Sequence, residues 1–185
     1  MIVTADAAWF TDSGTQNSPD PGAFVFAGEP RVFKIPLGPA GALPPSGAVE
    51  EVDVDVPDLT FPNLNGIETA PWSGGLLVSH TTDRTVYAVD ASSGAASEVY
   101  RNGLDGADGM SRRGRTLYVV NNGTAEIDEI LLDPSTGTGS LSRRLPVTGA
   151  ETPTTSALFG SSIYTVDARF GSMTGPYRVF RVDLS

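Results

Sequence analysis

Acidic, amide, imidazole and hydroxyl side chains recur in this sequence at two sets of spaced positions. One set, Asp12, His80, Asn121 and Asp167, closes the short apolar runs AAWFTD, GLLVSH, TLYVVN and SIYTVD, at intervals of 68, 41 and 46 residues. The other set, Asn65, Asp108 and Thr154, opens the runs that come just before; Asn65 and Asp108 stand 43 residues apart. Carboxylates and amide carbonyls are hard oxygen donors suited to a cation such as calcium, provided the fold converges them. His80, the single histidine, has the chemistry of a general base, although a lone histidine closing a strand is more often a partly exposed polar residue. Asn65-Gly66 and Asp108-Gly109 also have a plain reading as turn residues. Covalent catalysis is disfavoured, because the chain has no cysteine, no G-x-S-x-G and no phosphate-cradling glycine loop.

The elements that must position these residues are strands. Gly (21) and Pro (14) punctuate the chain, and no long segment keeps apolar residues at helical spacing. Between them lie short runs rich in β-branched and aromatic residues, among them RVFKIPL, TVYAVD, ASEVYR, EIDEILLD and YRVFRVDL. A period in the low forties with four short strands per unit predicts an all-β propeller. Within a unit, NGIETAP reads as the inner strand, GLLVSH as the second, TVYAVD as the third and ASEVYR as the outer one. The glycines of Ser73-Gly74-Gly75, Arg113-Gly114-Arg115 and Gly160-Ser161 fall at equivalent turns, where hairpins need positive φ. Because strand direction alternates, the starts of inner strands and the ends of second strands share one face of the propeller. Both polar sets therefore meet at one rim.

Composition narrows the partners. A chain of 185 residues with 39% apolar content can bury a core, and its net charge of −10 argues against a nucleic-acid backbone as ligand. No apolar stretch approaches the roughly 20 residues that span a bilayer. The start, MIVTADAAWF, lacks a basic region followed by an apolar core, so neither a membrane segment nor a leader peptide is expected. Without cysteine the redox compartment cannot be read.

The segments NLNGIETAP, GLLVSHTTDRTVYAVDASSGAASEV, GADGMSRRGRTLYVVNN and TPTTSALFGSSIYTVDARFG, in that order, resemble the senescence-marker-protein/gluconolactonase (regucalcin-like) propellers. FTDS near the start is similar to a stretch of the related strictosidine-synthase-like branch. The resemblance implies a six-bladed propeller, of which this chain holds about four blade units, near 1–58, 59–103, 104–149 and 150–185. An N-terminally incomplete member is expected on that basis, with a closed four-bladed ring as the alternative. The resemblance further implies a divalent cation at the channel mouth, calcium first and zinc, magnesium or manganese as alternatives, held by Asn65 and Asp108. The family's further glutamate ligand near the N-terminus has no counterpart here. Asp108 would also relay a proton; Asn121 and Asn122 fall where family members contact substrate, and His80, Asp12 and Asp167 would line the channel in the same register.

The implied activity is metal-dependent hydrolysis of a lactone or related ester. The alternative is a non-catalytic propeller that binds a small ligand or a protein; condensation chemistry rests on FTDS alone. The insertion between Ser13 and Arg31 is expected either to cover the mouth or to form a plain surface loop. Four blades of a six-bladed geometry would leave two apolar flanks and at least one unpaired strand edge, so either self-association through the flanks or marginal stability is expected.

Overall fold

Four small antiparallel sheets follow one another along the chain, the last three with a tight glycine hairpin between inner and second strand. They are described from a computed structural model covering residues 1–17, 24–26, 29–57, 63–172 and 175–185. The first sheet has the order β1 (Ile2–Val3), β2 (Ala7–Asp12), β5 (Arg31–Pro36), β6 (Glu50–Asp53). The second runs β7 (Leu64–Thr69), β8 (Gly75–His80), β9 (Thr85–Asp90), β10 (Ala96–Tyr100). The third contains β11 (Ala107–Arg113), β12 (Thr116–Asn121), β13 (Glu126–Asp133) and β14 (Thr138–Pro146), and the last β15 (Pro153–Phe159), β16 (Ser162–Asp167) and β17 (Arg178–Asp183). The expected second strands GLLVSH, TLYVVN and SIYTVD are β8, β12 and β16, each second in its own sheet. The fold is an all-β propeller of four blades. Gly74, Gly114 and Gly160 take φ of 72°, 60° and 58° at the inner hairpins, the conformation that favours glycine.

Within the insertion, β3 (Thr15–Asn17) and β4 (Phe24–Phe26) form a hairpin; the rest of the segment expected as lid or loop lies outside the described residues.

The core lies between successive sheets rather than within any one of them. Leu76 and Val78 of β8 face the first sheet, where they meet Trp9 and Val32, while Leu77 faces the third and meets Leu117 and Val119. A strand covered on both faces needs apolar residues at consecutive positions, which is why GLLVSH does not alternate. Tyr118, Val120 and Ile127 of the third sheet are covered in turn by Leu158, Ile163, Phe180 and Val182 of the fourth. Full burial of one such Leu or Ile side chain contributes about 1.5–3 kcal/mol.

The second strand of one blade is tied to the inner strand of the next by a repeated pair of hydroxyl bonds. Thr11 and Ser13 donate to the carbonyls of Asn65 and Leu64; one blade later, Ser79 and Thr81 donate to the carbonyls of Asp108 and Ala107, each at 2.7 Å. Ser79 Oγ also accepts the Gly66 N–H at 2.7 Å. At the third blade the corresponding positions are Val120 and Asn122, so the pattern stops and the Asn122 amide is released for another use.

Candidate functional site

The inner strands of the second, third and fourth sheets carry an irregularity at the same place. Pairing of β7 with β8 shifts between Leu64 and Ile67, of β11 with β12 between Ala107 and Met110, and of β15 with β16 between Pro153 and Ser156. A bulge re-aims the side chains within it, and here these are Asn65, Asp108 and Thr154. Gly66 and Gly109 occupy the bulges for reasons of space, not turn conformation. A Cβ on Gly66 would collide with the Asp108 carbonyl, and one on Gly109 would lie 2.6 Å from the Thr155 Cα. Glycine therefore lets neighbouring inner strands approach and brings Asn65 and Asp108 to adjacent positions.

Both residues line a cleft of about 290 Å³ along the inner edges of β1, β7, β11 and β15. Asp108 is only 9% exposed. Its Oδ2 accepts from Asn122 Nδ2 at 3.2 Å, and the Gly109 N–H supplies a second hydrogen bond. Burial disfavours the charged form and outweighs both hydrogen bonds, so the carboxyl is pushed up to about 6. Asn65 donates weakly from Nδ2 to Thr81 Oγ1 at 3.5 Å, and its side-chain carbonyl has no hydrogen bond among the described residues. The Asp108 carboxylate and the amide carbonyl of Asn65 at the wall of this cleft are the kind of donors a hard cation takes.

Sequence reasoning missed three groups on the same cleft: Glu68, Ser111 and Ser156. Glu68 accepts from the Thr69 N–H at 2.7 Å, and Ser111 Oγ donates to the Ser156 carbonyl at 2.9 Å. Glu68 stood in plain view in NGIET, but only the observed inner edge identifies it as a second acid of the groove.

The other predicted residues are drawn into backbone contacts, and none of them lines this cleft. Asp12 accepts the Gly14 N–H at 2.9 Å and pairs with Arg31 at 2.7 Å. His80 is fully buried; Nε2 lies 2.7 Å from the Pro57 carbonyl and Nδ1 accepts the Asp83 N–H at 3.2 Å. Nδ1 thus acts as acceptor and Nε2 carries the proton. Asn121 is buried with its Oδ1 on the Asp105 N–H at 3.3 Å. Asp167 receives the N–H groups of Glu151 and Thr152 at 3.1 and 2.7 Å. This shared position receives loop backbone N–H groups near the rim: for Asn121 and Asp167, those of the loops leading into β11 and β15. Asn122, its neighbour, is the one that reaches Asp108.

Among the described residues, no three His, Cys, Asp or Glu side chains group as a metal cluster. No family model matches the chain, and no curated protein does. Solved structures do match. Regucalcin from Agrobacterium tumefaciens, a calcium-binding protein, is 16% identical, with a TM-score of 0.53 over 82% of this chain and 52% of that one. A protein from Bacteroides uniformis described as a candidate 6-phosphogluconolactonase is 13% identical, with a TM-score of 0.53 over 74% of this chain and 44% of its own. Hydrazine synthase from Kuenenia stuttgartiensis is 18% identical, with a TM-score of 0.56 over 99% of this chain and 48% of that one. The chain spans about half the length of the solved structures it matches, and at these identities the likeness establishes a shared propeller fold.

Proposed function

We propose that the cleft binds a divalent cation, calcium in the first place, and hydrolyses a small lactone or related ester, in the manner of regucalcin-like propellers. The observation that supports this reading is Asp108, a buried carboxyl that accepts from Asn122 on a groove that Asn65 also lines. Asp108 and Asn65 would hold the cation, with Glu68 on the same wall. Such an ion, when bound, supplies polarisation of an ester carbonyl and a water of lowered pKa.

The chain's own groups do the rest. Asn122 orients the Asp108 carboxylate, which accepts a proton from water and returns it to the departing alkoxide oxygen. The hydroxyl of that water goes to the acyl carbon as the ring C–O bond breaks. Ser111 and Ser156 offer hydroxyl contacts to a polyhydroxylated substrate.

Calorimetry with calcium on the wild type and on Asp108→Ala, followed by lactone turnover with and without chelator, tests the reading. Calcium binding lost in Asp108→Ala and turnover abolished by chelator is the expected result; equal calcium binding by both proteins removes Asp108 from the site. The small number of acids at the cleft favours a second reading, a propeller that binds without catalysis. Calcium binding without turnover of any lactone would select it.

A further inference from the structure

The residue that follows the second strand holds the same place in three successive sheets. These residues are Thr81, Asn122 and Ala168, one past His80, Asn121 and Asp167. Each donates its backbone N–H to the carbonyl just before the inner strand of its own sheet: Thr81 to Asn63 at 2.9 Å, Asn122 to Gly106 at 3.1 Å and Ala168 to Thr152 at 2.9 Å. Their side chains differ, and the bulge residues beside them differ in step. In the third sheet Asn122 donates from Nδ2 to Asp108 Oδ2 at 3.2 Å. In the second, Thr81 Oγ1 accepts from Asn65 Nδ2 at 3.5 Å. In the fourth, Ala168 has no polar side chain to offer; Thr154 bonds back to the Val166 carbonyl of its own sheet at 3.4 Å and does not line the cleft, whereas Asn65 and Asp108 do.

We propose that Thr81 is a positioning residue: its hydroxyl fixes the amide of Asn65 with Oδ1 toward the cleft, as Asn122 orients Asp108. The consequence for cation binding rests on the function proposed above. The Thr81 hydroxyl has a single proton, and it goes to the carbonyl of Ala107, a fully buried residue, at 2.7 Å. Toward Asn65 the same oxygen can then only accept. An amide donates at nitrogen and accepts at oxygen, so Asn65 turns Nδ2 to Thr81 and leaves Oδ1, the end a hard cation takes, for the cleft. The backbone of Asn65 is held independently, since Thr11 donates its hydroxyl to the Asn65 carbonyl. Each pairing is chemically matched: a carboxylate needs a donor and meets the Asn122 amide, while an amide that must present its oxygen needs an acceptor and meets a hydroxyl already committed elsewhere.

Nuclear magnetic resonance of the full 185-residue chain in chelator reads the amide directly. The expected result is a through-space contact from the Asn65 Nδ2 hydrogens to the Thr81 side chain. The Asn65 amide resonances should shift in Thr81→Val, which is close in shape but lacks the acceptor, and stay in place in Thr81→Ser. Calcium calorimetry reads the consequence. Thr81→Val should weaken binding about 10-fold, as loss of a group that orients a metal ligand does, and Thr81→Ser should restore it. In an Asn65→Asp background both ends of the side chain are oxygen, so adding Thr81→Val should change affinity by less than about 2-fold. Absence of the contact in the chelated wild type overturns the proposal whether or not calcium binds. So does an equal loss of affinity on Thr81→Val in both backgrounds, which would mean that the hydroxyl acts only by tying down the Ala107 carbonyl. A wild type that shows the contact but binds no calcium supports the amide orientation and refutes the cation reading alone.

Discussion

Replacing Asp108 by asparagine keeps the shape of the side chain but removes a carboxyl that burial pushes up to about 6 from an ordinary 3.8. A group whose folded pKa is raised binds more protons in the folded than in the unfolded state between those two values. Folding stability therefore falls as pH rises from about 4 to 6, and the full penalty applies above that window. A shift of roughly two units, at 1.36 kcal/mol each, corresponds to on the order of 2–3 kcal/mol. Asp108→Asn escapes this penalty. In chelator, its advantage over the wild type should therefore be larger at pH 8 than at pH 4 by about that amount. For a domain of this size each kcal/mol moves the melting temperature by about 2–4 °C, so the change in the gap between the two melts should reach roughly 5–10 °C. Comparing the gap at two pH values cancels any fixed effect of the altered hydrogen bonds to Asn122 and Gly109. If cation binding is as proposed, calcium at 100 times its dissociation constant returns about 2.7 kcal/mol to the wild type and nothing to the variant. Calorimetric melts at both pH values read the result. A gap of equal size at pH 4 and pH 8 would refute the claim that desolvation governs this carboxyl.

Two further outcomes follow from buried hydroxyl contacts. Ser79→Ala should lower stability by on the order of 2–4 kcal/mol, because it strands the buried Gly66 N–H and Asp108 carbonyl that one hydroxyl now serves; denaturant unfolding showing a loss below about 0.5 kcal/mol would mean that water or a local shift replaces the hydroxyl. Tyr87, whose hydroxyl donates to Asp83, is pushed up to about 12 by burial and then by the Asp83 carboxylate. Its phenol should stay protonated through the pH range where ordinary tyrosines ionise, and Asp83→Asn should bring its titration down in pH, as followed by ultraviolet absorbance; no change in that variant would assign the shift to burial alone.

The strand order, the hairpin glycines and the rim shared by Asn65 and Asp108 were all legible in the amino-acid sequence. They depend on local properties: β-branched runs, positive-φ turns and a repeat near 43 residues, which together determine which end of each strand points to which face. The fate of the other polar residues at that rim was not legible. Asp12, His80, Asn121 and Asp167 share a register with the cleft, yet each is taken by backbone groups whose positions depend on how the adjoining loops pack. Asn121 and Asn122 are indistinguishable as letters, and one faces a loop while the other reaches Asp108. Gly66 and Gly109 read as turn residues, but they are required because a neighbouring inner strand passes where a Cβ would stand. Glu68 became a cleft residue, and the hydroxyls of Ser79 and Thr81 became ties between blades, only through contacts across 26 or more residues. The sequence determined the blades because each hairpin forms from neighbours along the chain. The tertiary structure alone decided the site, because burial and hydrogen bonding there depend on which sheet lies alongside.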